Sequence, residues 1–300
     1  MSHPYASAAY AAAFEGVAEP LWTPAWGAYV LTREIPGGGG SRDALGMYPL
    51  APFAPDADLE AGLEWLRDQG VVSIGLVPDP ATAPPPERLQ AVFGLCAPYK
   101  THLLVDFGRE VRFSKHHRAE VRRARKTATV EAVALADHLD AWCGLYDTLT
   151  QRHEIGGLSA FSRAAFERMA EVEGLNTVAA FVEGEIVSMH LWVTDPVGRV
   201  AYSLLAATNP EGYRRSAAYA VEDASIRLLS DLNAVNLGAG AGLHAEQDGL
   251  TFFKRGFANH ETQAFFCGAI LDEARYAALS GGTVTPAIPF PAYRFSDGPI

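Results

Sequence analysis

The 300-residue chain is poor in cysteine and has no long apolar run. Cys96, Cys143 and Cys267 are odd in number and far apart, which fits neither a disulfide framework nor a cysteine-based zinc site. Reduced thiols of this kind point to the cytoplasm. No apolar stretch approaches the roughly 20 residues of a membrane span. The opening MSHPYASAAYAAAFEGVAEP has no basic n-region and no long apolar h-region, so no signal peptide is read there. P-loop, G-x-S-x-G, H-E-x-x-H and C-x-x-C signatures are missing too. The run GGGG at 37–40 is a flexible turn rather than a phosphate cradle. Positive charge is scarce: 24 Lys and Arg stand against 35 Asp and Glu, a net charge of −11. A surface acidic throughout would repel nucleic acid.

One stretch reverses that balance. Lys115, Arg118, Arg122, Arg123, Arg125 and Lys126 put six of the 24 cations into twelve residues, opposed only by Glu120 and joined by His116 and His117. The segment 114–128 reads as a helix with Ser114 at its N-cap. It is polar nearly all round and so belongs on the surface. Arg122, Arg123 and Lys126 share one flank, because residues three and four apart are neighbours on a helix. Such a flank either grips a phosphate backbone or is a solvated face paired with the acidic remainder of the chain.

The length suits one large domain or two modest ones, and an apolar fraction near half supplies ample core. In the first half, 26–35, 71–78 and 100–107 have strand composition, and 58–70 and 87–96 helical composition. Residues 1–20 read as an Ala-rich helix or arm, and MYPLAPFAP as extended chain. The second half has a cleaner rhythm: strand 129–134, helices 135–154 and 162–174, strands 176–184, 185–195 and 198–209, helix 216–233, then strands 234–241 and 260–271. A Glu-Gly turn joins two of the strands. TFFKRGF reads as a turn or short element, and the Pro-rich tail as irregular chain. This order is α+β with a mixed sheet.

Within DGLTFFKRGFANH, Lys254 stands among Phe252, Phe253 and Phe257. An unpaired ammonium in such a setting is costly to desolvate. Either its stem borrows apolar surface while the charge reaches water, or an anion comes to meet it.

Three stretches carry a family likeness. FSKHHRAEVRRARKTATV is similar to the basic R-x-x-[IV]-R-[KR]-A-x-K helix of FemABX-type proteins. AYSLLAATNPEGY, with a following helix that contains ASI, resembles the strand and turn before the main helix of their second subdomain. LTFFKRGF is similar to their F-K-x-x-F element. The chain thus resembles the FemABX branch of the GNAT acyltransferase superfamily over roughly 100–270. The resemblance implies two tandem GNAT-like subdomains with mixed central sheets, divided as 1–128 (degenerate), 129–275 and an irregular tail 276–300. It also implies aminoacyl-tRNA-dependent transfer. Acetyl-CoA-dependent GNAT proteins carry a Gly-rich pyrophosphate turn, [RQ]-x-x-G-x-[GA]. Here that place reads NPEGYRRSAA: Gly212 comes too early and Arg214, Arg215 and Ser216 fill the turn. Without glycine, backbone N–H groups approach a pyrophosphate less closely.

The resemblance implies that Lys254 faces the acyl-transfer site, where a fixed cation would stabilise the oxygen that gains charge when an amine attacks an ester. Phe253 would wall that site or simply fill core. Arg214 and Arg215, at the mouth of a helix, make an anion site or a set of local ion pairs. Ser188, His190 and Trp192 point to one face of their strand and Val187, Met189, Leu191 and Val193 to the other, which suggests the wall of a cleft. Trp192 would contact substrate there. His190 is a general-base candidate or a core histidine; an aminoacyl ester is already activated and needs no dedicated base. Asp248 would orient Lys254 or the attacking amine. His244, Glu246 and Asp248 alternate in LHAEQDG, but one short loop is not a metal site. Arg152 and His153, read as loop residues with Glu154, would meet the acceptor. Lys115, Arg118, Arg122, Arg123 and Lys126 would bind tRNA phosphate.

The leading expectation is an aminoacyltransferase. It takes aminoacyl-tRNA as co-substrate and the amine of a small peptide-like or peptidoglycan-precursor acceptor, without metal or cofactor. An acyl-CoA-dependent N-acyltransferase and a non-catalytic binding module on the same fold are the alternatives.

Overall fold

A computed structural model describes residues 3–240, 248–282 and 284–295. It is α+β, and contacts divide it into two compact units. One is continuous, Lys100–Thr262; the other combines Ser2–Tyr99 with Gln263–Ile300. The sequence had placed a boundary at 128/129; by contacts, the basic helix falls in the same unit as everything that follows it up to Thr262.

In the discontinuous unit the helices are α1 (Ala8–Ala12), α2 (Leu59–Asp68), α3 (Pro86–Phe93) and, after the return of the chain, α10 (Glu273–Leu279). Its strands are β1 (Glu19–Thr23), β2 (Ala28–Glu34), β3 (Arg42–Gly46), β4 (Val71–Leu76) and most of β11 (His260–Ile270). They lie in the order β1-β2-β3-β4-β11, with β3 and β4 parallel and the other pairs antiparallel. The amphipathic helix α2 starts on an Asp58 cap and buries Leu59, Leu63 and Leu66 beside Trp26, Phe53 and Ile74. Gly62 lets it settle on the indole of Trp26, since a Cβ there would fall 1.9 Å from Nε1. The tail is tied down rather than loose. The Arg294 guanidinium donates to both oxygens of the buried Asp43 at 2.6 and 2.7 Å, and Tyr293 and Ser73 share a hydrogen bond of 2.7 Å.

The continuous unit holds the larger part of β5 (Leu95–Asp106), then α4 (Lys115–Ala124), β6 (Thr129–Val133), α5 (Leu139–His153), α6 (Arg163–Met169), β7 (Leu175–Val182), β8 (Glu185–Asp195), β9 (Val200–Thr208), α7 (Pro210–Arg214), α8 (Ala217–Leu228), β10 (Ala234–Gly238) and α9 (Gly249–Arg255). The strand order is β5-β10-β9-β8-β7-β6. Only β10 and β9 run parallel, so the sheet is mixed as expected. Pairing skips Val187, which bulges out of β8 between Ile186 and Ser188. Its carbonyl accepts from the Asn209 N–H at 3.0 Å. Gly212 packs over the same carbonyl; a Cβ there would stand 2.4 Å from the oxygen. The bulge thus sets where the chain leaves β9 and turns toward α8. One face of α8 is apolar, and Ala217 and Val221 bury against Val178, Ala180 and Val187 of the sheet.

Candidate active site

Helix α9 exists because Asp248 caps it: its Oδ1 accepts from the Thr251 N–H at 2.5 Å. The seven residues that follow, about two turns, carry Phe252 outward, Phe253 into the aromatic core and Lys254 toward the exit of β10. There the Lys254 Nζ donates to the Ala239 carbonyl at 2.6 Å. Gly238, at φ +77°, leaves the room for it; a Cβ would lie 3.2 Å from Nζ. That exit is itself fixed by Asn236, whose Oδ1 accepts from the Gly238 N–H at 2.8 Å and meets Nδ1 of His102 at 3.2 Å. Lys254 as a residue is half-buried, yet the surroundings of its ammonium are dense. Its pKa is lowered to about 8, chiefly by burial; Glu222 and Asp248 oppose the shift and Lys100 adds to it. Lys100 is itself depressed by burial, with Asp248 acting against it. Among the described residues, Ala239 is the one hydrogen-bond acceptor of Lys254. An ammonium has three donors.

The polar face of β8 is not the wall of an open cleft. It is covered by α8. Ser188 bonds Thr208 at 2.8 Å, and Nδ1 of His190 meets Glu222 Oε2 at 2.9 Å with both side chains buried. Trp192 is fully buried among Val121, Ile226, Val235 and Phe257, so it has no surface to offer a substrate. Glu222 escaped the sequence reading. Its signal was the pair Glu222–Asp223 inside an otherwise Ala-rich apolar stripe, where adjacent carboxylates need partners. Asp223 finds them in Arg125 at 2.6 Å and Arg227 at 3.0 Å.

Helix α4 is held by His117. Its Nε2–H donates to the Phe253 carbonyl at 2.8 Å and its Nδ1 accepts from the Ser114 hydroxyl at 2.8 Å, while burial lowers its pKa. This fixes the neutral Nε2–H tautomer, since a carbonyl only accepts. Lys115, Arg118, Arg122, Arg123 and Lys126 are all exposed. Arg118 donates to the Phe113 carbonyl and Arg123 to the Arg214 carbonyl.

Arg123, Thr127, Glu211, Arg214 and Arg215 line an open cleft of about 380 Å³. Both Arg214 and Arg215 pair with Glu211, so the cleft carries three guanidiniums against one carboxylate. Helix α8 begins just beyond. Its N-cap, Ser216, has left-handed backbone, φ 57°, and donates its hydroxyl to Glu120 of α4. A carboxylate of the protein thus stands at the N-terminal end of α8. Arg152 and His153 are not loop residues but the last turn of α5, which ends on Glu154 in the left-handed region. Both are exposed, and the Arg152 guanidinium stacks 4.7 Å above the Tyr213 ring. His244 and Glu246 lie outside the described residues. Among the described residues no three His, Cys, Asp or Glu side chains are grouped to hold a metal, and no helix is long and apolar enough to cross a membrane.

Residues 112–241 match the family model of the acetyltransferase (GNAT) domain. The sequence has no significant match among curated proteins. Among solved structures, the chain is similar to FemX, with TM-score 0.61, 13% identity, and 83% of this chain and 86% of that one covered. The fold is GNAT-like. It is equally similar to the L-PGS of Bacillus licheniformis, with TM-score 0.60, 13% identity and coverage of 87% and 86%. The C-terminal DUF2156 domain of a candidate lysylphosphatidylglycerol synthetase from Agrobacterium fabrum gives TM-score 0.62, 16% identity and coverage of 89% and 88%. The chain therefore has a GNAT-like fold similar to that of these three structures.

Proposed function

We propose that the protein is an aminoacyltransferase that moves an aminoacyl group from aminoacyl-tRNA to the amine of a small peptide-like or peptidoglycan-precursor acceptor. The observation that carries the reading is the ammonium of Lys254, drawn away from water and hydrogen-bonded to Ala239 at 2.6 Å. The amine attacks the ester carbonyl, the C–N bond forms, and the carbonyl oxygen gains charge beside Nζ. Collapse breaks the C–O bond to the terminal ribose, whose hydroxyl takes up the proton lost by the amine. A preorganised cation in such a site contributes on the order of 3 kcal/mol to the barrier, and alignment of amine and ester contributes the rest. Asp248 acts here as the cap that positions α9, and Phe253 as the apolar packing beside Lys254. The exposed cations of α4 and the Arg214–Arg215 cleft suit a phosphate backbone.

An RNA donor is supported over CoA by two observations on one turn: Gly212 is used to pack on Val187, and Glu120 occupies the N-terminus of α8. The GNAT description of the matched domain supports the second reading, an acyl-CoA-dependent N-acyltransferase. The name of one structural neighbour adds phosphatidylglycerol to the acceptors worth offering. The test supplies tRNA charged with labelled amino acids, together with candidate amines and this lipid. RNase-sensitive transfer of label is expected. Transfer that survives RNase and releases free thiol from acyl-CoA would replace the first reading by the second.

A further inference from the structure

We propose that the rings of His116, Tyr219 and Phe252 form a platform on which an unpaired base of the RNA donor stacks. This rests on the aminoacyl-tRNA reading above. Phe252 is 57% exposed, unusual for a phenylalanine on a capped helix that could have turned it inward. His116 is exposed beside it, ring centroids 5.6 Å apart, and Tyr219 stands 5.8 Å from His116 on the other side, its Oη 3.5 Å from Nε2. Behind these three lies a second aromatic layer. Phe253 meets Tyr219 at 4.9 Å and His117 meets Phe257 at 4.7 Å, edge to face, so the outer rings have a firm backing.

Two exposed rings, His116 and Phe252, beside a half-buried Tyr219 on an apolar support are a poor solution for folding alone. Their electrostatic setting identifies the occupant. Lys115 precedes His116 on α4, and Arg255 lies three residues from Phe252 on one face of α9; both are exposed. On a chain of net charge −11, exposed aromatics interleaved with cations are complementary to a ligand that is both flat and anionic. Single-stranded RNA is such a ligand: bases stack on aromatic faces while cations follow the phosphates. Phe252 is also two residues from Lys254 on the short helix α9, so a base held outside is tethered close to an ester held inside. The unpaired end of the donor is the segment the platform fits.

The experiment titrates a fluorescently labelled single-stranded RNA tetranucleotide into the full chain and into Phe252→Ala, Phe252→Trp and Arg122→Ala. A matching tetranucleotide that lacks one base is the second probe. Phe252→Ala should weaken binding about tenfold, the effect of one lost stack, and Phe252→Trp should keep it. The abasic probe should bind the parent chain about tenfold more weakly and be indifferent to Phe252→Ala. Equal affinity of the parent and Phe252→Ala, with Arg122→Ala weakened, would overturn the platform and leave the RNA donor standing. No RNA binding at all, or Phe252-dependent binding of uridine diphosphate without RNA binding, would overturn both.

Discussion

Gly256 lies against the imidazole of His117, so closely that a Cβ at residue 256 would stand 2.0 Å from Cε1. Its φ of −72° is open to any residue, so contact and not backbone conformation demands the glycine. Gly256→Ala must therefore displace the ring that ties α4 to α9. We expect a loss of about 1–3 kcal/mol, the usual effect of overpacking, measured as a fall in Tm and in the urea midpoint.

His117 also gives folding a pH dependence. Burial holds its folded pKa below the ordinary 6.5. Above that value both states are neutral and its stabilisation is complete. As pH falls through 6.5 toward the depressed folded value, the unfolded chain takes up the proton first and stability declines. Urea titrations from pH 7.5 downward should show this slope, and His117→Gln, which does not titrate, should flatten it.

Lys254 should set the alkaline limb of the reaction. Its ammonium is lost as pH rises through about 8. Rates should climb with deprotonation of the acceptor amine and then fall above that point, whereas Lys254→Arg should retain no falling limb. Lys254→Ala should lose on the order of 100-fold in kcat. Full activity in Lys254→Ala would mean that the oxygen's charge is met elsewhere.

Two arginines three residues apart on one segment should behave differently. Arg122 is exposed and has no ion-pair partner among the described residues, whereas Arg125 is bound to the buried Asp223 at 2.6 Å. Arg122→Ala should weaken tRNA binding and reduce the slope of log K against log salt by about one. Arg125→Ala should act mainly on Tm, because it strips a partner from a buried carboxylate.

Glu120 predicts donor selectivity. In the parent chain acetyl-CoA should produce no thermal shift. Glu120→Ala removes the carboxylate at the start of α8, and any CoA affinity the fold retains should emerge there, read by calorimetry.

Periodicity and caps made much of this legible. Ser114 caps its helix as read, its hydroxyl accepting from the His117 N–H, and Asp58 caps α2 by accepting from the Ala61 N–H. The turn between β7 and β8 falls on Glu183 and Gly184, both at positive φ. Lys254 stood out because an ammonium among phenylalanines calls for an explanation. Other features were hidden for physical reasons. Helix α9 is too short to show a repeat, β3 is a five-residue strand without alternation, and α10 is a seven-residue helix that runs into 276–300, read as an irregular tail. The reading of β8 failed because a mixed face looks the same whether solvent or a helix covers it. What decided the matter was Glu222, 32 residues from His190, and a pairing at that range leaves no local mark.

The unit that holds the N-terminal strands is interrupted. It runs to Tyr99 and resumes at Gln263, and its strand β4 acquires β11 as a neighbour, through pairs such as Leu76 with Cys267, only after the whole of the other unit has been synthesised. A nascent chain released early, or a gene shortened before codon 263, would leave β4 with a bare edge and Asp43 without Arg294. Of the two units, 100–262 is the one continuous in sequence, which makes it the natural starting point for dissecting this protein.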